Sequence, residues 1–202
     1  MLKFWKEAGK TTAIRTELGK LTGNGSLATV SCTTPDHVRR FKVGEEWGYK
    51  LATPTNYTFA GGILTMVTTP ATGTTVVAIG TGEYIFEDLE ATGNDSQAAA
   101  RTLEQKIYIE SDGANAQHVA ISLGDYQATG GLSVTHHYLS EGDSTSTPVG
   151  YLSAGSALSL GTISIGSIVP IWVKSIVPLG TAMDNYHDIY ISGESQNFSA
   201  HE

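Results

Sequence analysis

Apolar and polar positions alternate with a period of two through most of this chain, the period of β-strands with one buried face. The clearest case lies near the C-terminus. Residues 167–177 bring together Ile168, Ile171, Trp172, Val173, Ile176 and Val177. Pro178, Leu179 and Gly180 end that run, because proline offers no amide donor and glycine permits a turn. After a loop, Tyr186, Asp188, Tyr190 and Ser192 alternate with His187, Ile189 and Ile191. The two runs read as the closing hairpin of an antiparallel β-sandwich.

The same reading extends backwards. Residues 103–111 form a strand, Asp112 and Gly113 a turn, and residues 117–124 the hairpin partner. Residues 132–139 make another strand, and 140–147 a polar loop tip. Short apolar pieces around Gly150, Gly155, Gly161 and Gly166 bring the half to about seven short strands, the number in an immunoglobulin-like (Ig-like) sandwich. In the first half, residues 26–33, 38–43 and 47–52 read as strands. Residues 57–79 give the best pattern there. Gly61-Gly62 is a two-residue hairpin signal, residues 69–73 are a turn, and 74–79 pair back. Residues 83–89 read as a further strand. The polar, small-residue stretch 90–102 marks a domain boundary near Gly93.

Residues 1–22 are weakly patterned. Gly9 and Gly19 disfavour a long helix, so Leu2, Phe4 and Trp5 read as part of an arm or an edge strand. The fold class expected is therefore all-β, with an arm over 1–22, a β-rich attachment domain over 23–92 and an Ig-like antiparallel β-sandwich over 93–202.

Composition narrows the function. The 202 residues are 40% hydrophobic but only 16% charged, with 23 glycines and 6 prolines. Such a chain supports a core and many turns. The net charge of −8 argues against a nucleic-acid surface, which needs clustered Lys and Arg. Charge is uneven. Residues 1–20 carry five basic and two acidic side chains, a balance of +3 that leaves −11 for the rest of a chain whose total is −8. Cys32 is alone, so neither an intrachain disulfide nor a cysteine-based zinc site is expected. No apolar run suits a signal peptide or a membrane-spanning helix, and no membrane partner is expected.

The chemistry-bearing residues form no catalytic set. His136 and His137 are adjacent and face opposite sides of a strand, so they do not chelate one metal together. They read as ordinary surface histidines, since a metal site would need His118 or His187 brought near by folding. Glu141, Asp143 and Asp184 lack calcium-loop spacing. No nucleophile elbow occurs. Cys32 reads as a small buried residue. Glu83, Glu87, Asp88 and Glu90 read as a solvated strand end. Trp5, Trp47, Trp172 and nine tyrosines are the residues able to stack sugars, with Trp172 expected in the core and Trp5 free for a neighbour. No enzyme activity, cofactor or metal is expected.

Two stretches resemble a known family. Pro170–Lys174, Val177–Ala182, Asp184-Asn185 and Ile189–Gly193 resemble the last strands of Ig-like domains in structural proteins of tailed bacteriophages. The similarity extends more loosely back to about Arg101. Tyr57, Thr58, Phe59, Gly61, Leu64, Thr65, Thr69, Pro70, Gly73 and Val76 resemble a hairpin common in phage tail fibres and their attachment domains. The resemblance implies a non-enzymatic virion component assembled in the host cytoplasm. Its expected role is capsid decoration through the N-terminal part, with a tail, baseplate or fibre-attachment protein, or a carbohydrate-binding host-recognition module, as alternatives. Expected partners are a major capsid or tail protein and further copies of the chain, with a host surface glycan as another. Phe4, Trp5, Lys6 and Lys10 are the expected partner contacts, and removal of residues 1–20 is expected to leave the second domain folded.

Overall fold

The computed structural model describes residues 2–42, 49–86, 99–126, 137–142, 150–179 and 188–196. Among these residues there are strands and no helix. In chain order they are β1 (Leu2–Trp5), β2 (Glu17–Thr22), β3 (Thr29–Ser31), β4 (His37–Lys42), β5 (Tyr49–Lys50), β6 (Tyr57–Ala60), β7 (Ile63–Met66), β8 (Thr74–Ile79), β9 (Arg101–Ser111), β10 (Ala116–Tyr126), β11 (His137–Glu141), β12 (Leu158–Ile163), β13 (Ile168–Val177) and β14 (Asp188–Gln196). The fold is all-β, and the named strands pair antiparallel throughout.

The first half builds two sheets, β2-β8-β4-β5 and β3-β7-β6. Leu21, Val38, Val76 and Ala78 from the first meet Tyr57, Leu64 and Met66 from the second in one cluster. Strand β8 lies between β2 and β4 and is buried on both faces. Its run Val76–Ile79 is continuously apolar for that reason, and Val77 and Ile79 pack with Phe41 on the far side. The β6–β7 hairpin turns at Gly61 and Gly62, with φ of 58° and 79°. Both values lie in the left-handed region that the tight hairpin turn requires, and glycine adopts it without a Cβ clash. Residues 74–79 do not pair back on that hairpin. They join the other sheet.

The second half builds the sheets β1-β9-β13-β11 and β12-β10-β14. Ile107, Ile109, Ile171, Val173 and Leu139 from the first share a core with Val119, Ile121, Leu158, Ile163 and Ile191 from the second. Both hairpins expected here are absent. β9 pairs with β1 and β13, while β10 pairs with β12 and β14. β13 and β14 likewise lie in different sheets. Every consecutive pair from β9 to β14 is split in this way. The turn after β9, where the Ser111 hydroxyl donates to the Ala114 carbonyl at 2.6 Å, swings β10 across the core. Ile107 and Ile109 then face Val119 and Ile121 rather than lying beside them in a ladder. An Ig-like order keeps strands A–B, D–E and F–G within one sheet. The unit thus shares that fold's strand count but not its connectivity.

The N-terminal segment is not a free arm. Strand β1 is the edge of the four-stranded sheet, and Phe4 is buried in the core at 4% exposure. Ile14, 2% exposed, joins the same core, and its amide donates to the Phe4 carbonyl. The next residues run against 80–83: Arg15 N donates to Glu83 O, Glu83 N to Ala13 O and Gly80 N to Thr16 O. Gly82 (φ 142°) is required at this crossing, because a Cβ would come within 2.6 Å of the Ile14 carbonyl carbon. Residues 17–22 then enter the first half as edge strand β2. Four alternating residues, Leu2, Lys3, Phe4 and Trp5, leave both an arm and an edge strand readable, and the pairing with β9 makes them the edge strand. Residues 83–86 carry only an isolated bridge, Glu83 to Ile14, and no strand. The rest of that expected strand, and the boundary near Gly93, lie outside the described residues.

Removing the Phe4 ring leaves a cavity between the two sheets of the second half. Phe4→Ala is expected to lower unfolding stability by about 3–5 kcal/mol, measured by urea denaturation. Deletion of residues 1–20 is expected to destabilise the second half rather than leave it intact.

Candidate functional site

The outward face of β1-β9-β13-β11 gathers side chains from distant parts of the sequence. Three cross-strand rows define it. Trp5, Tyr108 and Pro170 are register partners in the first, Lys106, Trp172 and Ser140 in the second, and Glu104, Lys174 and Tyr138 in the third. Rows lie ~7 Å apart along the strands and neighbouring strands ~4.8 Å apart. Trp5, Tyr108, Trp172 and Tyr138 therefore form a diagonal strip across all four strands, each ring partly exposed.

Charges interleave with the rings. Lys106 Nζ lies 5.2 Å from the centroid of the Trp172 ring. Lys174 Nζ sits between two tyrosines, 4.5 Å from the ring of Tyr138 and 4.0 Å from that of Tyr151. The Tyr151 hydroxyl donates to Glu104 at 3.0 Å. Burial, and then this carboxylate, push the Tyr151 phenol well above the usual range. Such cation–π contacts contribute roughly 0.5–1 kcal/mol each at exposed sites. They hold the rings in place rather than form a patch of one sign.

At the β1 end, Glu110 collects the N-terminal segment. It accepts from Lys10 Nζ at 2.6 Å and from Trp5 Nε1 at 3.1 Å. Lys10 holds φ of 57°, a strained value for a non-glycine residue, and its ion pair helps to fix that loop. The Lys10 ammonium, then the Trp5 indole, hold the Glu110 carboxyl below the usual range. Lys3 pairs with Asp112 at 2.7 Å.

The four expected partner contacts are thus divided. Trp5 and Lys10 meet at Glu110 on the outward face. Phe4 is turned into the core, where no partner reaches it. Lys6 pairs with Glu83 at 3.0 Å. Two further expectations are corrected. Trp172 is not in the core, because its position shares the outward phase of Pro170 and Lys174. Its indole edge is covered by Gly142, whose Cβ would come within 2.7 Å, and its Nε1 has no hydrogen-bond partner. His137 is not a surface residue. It shares the inward phase of Leu139 and is 1% exposed. The missing signal is register: Tyr108 and Tyr138 join the strip only once β1, β9, β13 and β11 are known to be neighbours.

A second face differs in character. On β3-β7-β6 the outward positions are Thr29 and Ser31, Ile63 and Thr65, and Thr58 and Ala60, continued by Leu27 and Val67. None is ionisable in a chain of net charge −8. Leu27, Ile63 and Val67 are 47%, 46% and 60% exposed.

A cleft of about 490 Å³ opens where the two halves meet. Its wall includes Trp5, Thr16, Leu18, Thr33, Thr34 and Thr81, with Lys3 and Glu17 as its charged members.

Catalytic and metal chemistry find little here. Among the described residues no group of three or more His, Cys, Asp or Glu is placed to hold a metal ion. His137 and Ser175 are register partners, but Ser175 is 0% exposed, so the pair meets no substrate. Cys32 is half-buried against the first core, and burial raises its thiol pKa. His136, His187, Asp143, Asp184, Trp47, Glu87, Asp88 and Glu90 lie outside the described residues. No protein-family description matches this chain, and no curated protein matches it either.

The tie at Glu110 has a defined pH dependence. A depressed carboxylate pKa means that the interaction is fully present above the unfolded-state value of about 4.3 and is lost as pH falls through the lower folded value. The indole N–H resonance of Trp5 is expected to shift with a midpoint below that of a free glutamate. Glu110→Gln should abolish this transition, which NMR titration reads directly.

Proposed function

We propose that this chain is a non-enzymatic structural component of a tailed-phage virion, a capsid decoration protein attached through its N-terminal half. The observation that carries the reading is the outward face of β3-β7-β6. Eight adjacent positions there carry no ionisable group, and three of them are exposed aliphatics. Like-charged copies of an acidic chain approach a common lattice most easily through a neutral face, and the core of a protein interface is depleted in charge. Weak contacts of this size become tight attachment when repeated over a symmetric particle. The sequence resemblances suggest the setting; those of their residues that lie in described strands are on β13 and β14 for the first and on β6, β7 and β8 for the second.

The halves then divide the work. The first half attaches, and the second presents the aromatic face to the medium. Attachment does not use the N-terminal segment as a free arm, because β1 is part of the second half's own sheet.

Ile63→Glu and Val67→Glu place charge on the neutral face without touching the core beneath it. Each is expected to lower occupancy on purified particles at least tenfold while leaving the unfolding midpoint nearly unchanged. Particle pull-down with quantitative gel analysis measures this. Full occupancy of both variants would exclude this face as the attachment surface.

A further inference from the structure

We propose that the aromatic strip and the cleft form one extended binding site for a neutral glycan chain. Two separate observations converge on it. The first is the diagonal of Trp5, Tyr108, Trp172 and Tyr138 on an outward sheet face. Such rings offer flat apolar surfaces to the C–H faces of pyranoses, and their own polar groups sit at the edges. The second is the cleft at the β1 edge, whose lining brings Thr16, Thr33, Thr34 and Thr81 together with Leu18 and Trp5, and with Lys3 and Glu17. Mixed apolar walls with several hydroxyl-bearing residues suit a small polyhydroxylated group, and the cleft's volume of about 490 Å³ is within the usual range for ligand sites.

Trp5 belongs to both parts, and that makes them one site. It lies two strands and one row from Trp172, a distance of ~12 Å. A short oligosaccharide lying along the strip over Trp172 and Tyr108 reaches Trp5. Its terminal ring then enters the cleft beside Thr33 and Thr34. The strip supplies stacking along the chain, and the cleft reads the end. Glu110 fixes the Trp5 ring through the indole N–H, so the shared element is held before any ligand arrives.

Charge selects the class of glycan. The cations along this path are engaged: Lys3 with Asp112, Lys10 with Glu110, Lys106 over Trp172 and Lys174 between two tyrosines. An acidic sugar would have to break one of these contacts and would also meet Glu104 and Glu110. A neutral chain leaves the ion pairs of Lys3 and Lys10 intact and stacks on the ring faces that Lys106 and Lys174 do not cover. This inference does not depend on the virion reading, because it uses a different surface from the neutral face of β3-β7-β6.

The test uses the full chain, ¹⁵N-labelled, titrated with a panel of neutral hexasaccharides of different linkage and with an acidic hexasaccharide as comparison. The expected result is that at least one neutral member shifts the indole signals of Trp5 and Trp172 together with the amides of Thr33 and Thr34. Trp172→Ala and Tyr108→Ala should each weaken binding at least tenfold. The pair Thr33→Val and Thr34→Val should weaken it about fivefold and erase the cleft shifts alone. If Trp172→Ala fails to fold, Tyr108→Ala and the threonine pair carry the test. The proposal is overturned if no neutral member shifts these signals at 10 mM, if the acidic one binds better, or if the strip responds while the cleft stays silent. Ile63→Glu should bind glycan as the unmodified chain does, so loss of particle attachment and loss of glycan binding remain separate results.

Discussion

The pairing of β1 with β9 is the contact on which the rest of the molecule depends. It brings four N-terminal residues to the edge of a sheet made otherwise from the second half of the chain. One side of that strand sends Phe4 into the core, and the other places Trp5 beside Tyr108. The strand's far edge then meets residue 14, whose side chain enters the same core. From there the backbone crosses Gly82 and begins the first half. A single segment therefore closes one core, sets one end of the aromatic strip and forms one wall of the cleft.

Local alternation was legible wherever strands are long or turns are tight. The hairpin at Gly61-Gly62 is readable because two glycines between alternating runs leave the chain one favourable turn. Strand β4 and the long strands β9, β10 and β13 are readable from their apolar phase. Pairing was not. A period of two states which side chains share a face. It does not state which strand receives the hydrogen bonds, so β9 and β10, or β13 and β14, look like hairpins when they are arches across a core. The same limit misplaced single residues. His137 looks like a surface group until its phase is matched to Leu139, and Trp172 looks like core because its neighbours Ile171 and Val173 are.

The outward aromatic face shows the limit more sharply. Trp5 and Lys10 stand out in sequence as an aromatic and a cation near a terminus. Their common partner, Glu110, is a hundred residues away and carries no local mark. Tyr108, Trp172 and Tyr138 are likewise unremarkable one by one. Only the strand order β1-β9-β13-β11 sets them on a line. The neutral face of β3-β7-β6 was closer to the surface of the sequence, since its threonines and aliphatics alternate openly with Val30, Leu64 and Met66.

The order in which the chain leaves the ribosome gives the β1–β9 contact a kinetic meaning. Leu2 pairs with Ser111, so strand β1 is completed by a strand synthesised about a hundred residues later. Until then Leu2 and Phe4 have no sheet to join, and at about 5–20 residues per second the wait lasts several seconds. Among the described strands, none from β9 to β14 pairs with the one synthesised just before it. Non-local pairing of this kind folds slowly, because loop closure must precede the contacts that stabilise it. The two halves thus mature on different clocks. The described strands of the first have all emerged by residue 79, while the second waits for β14 and needs β1 to close it.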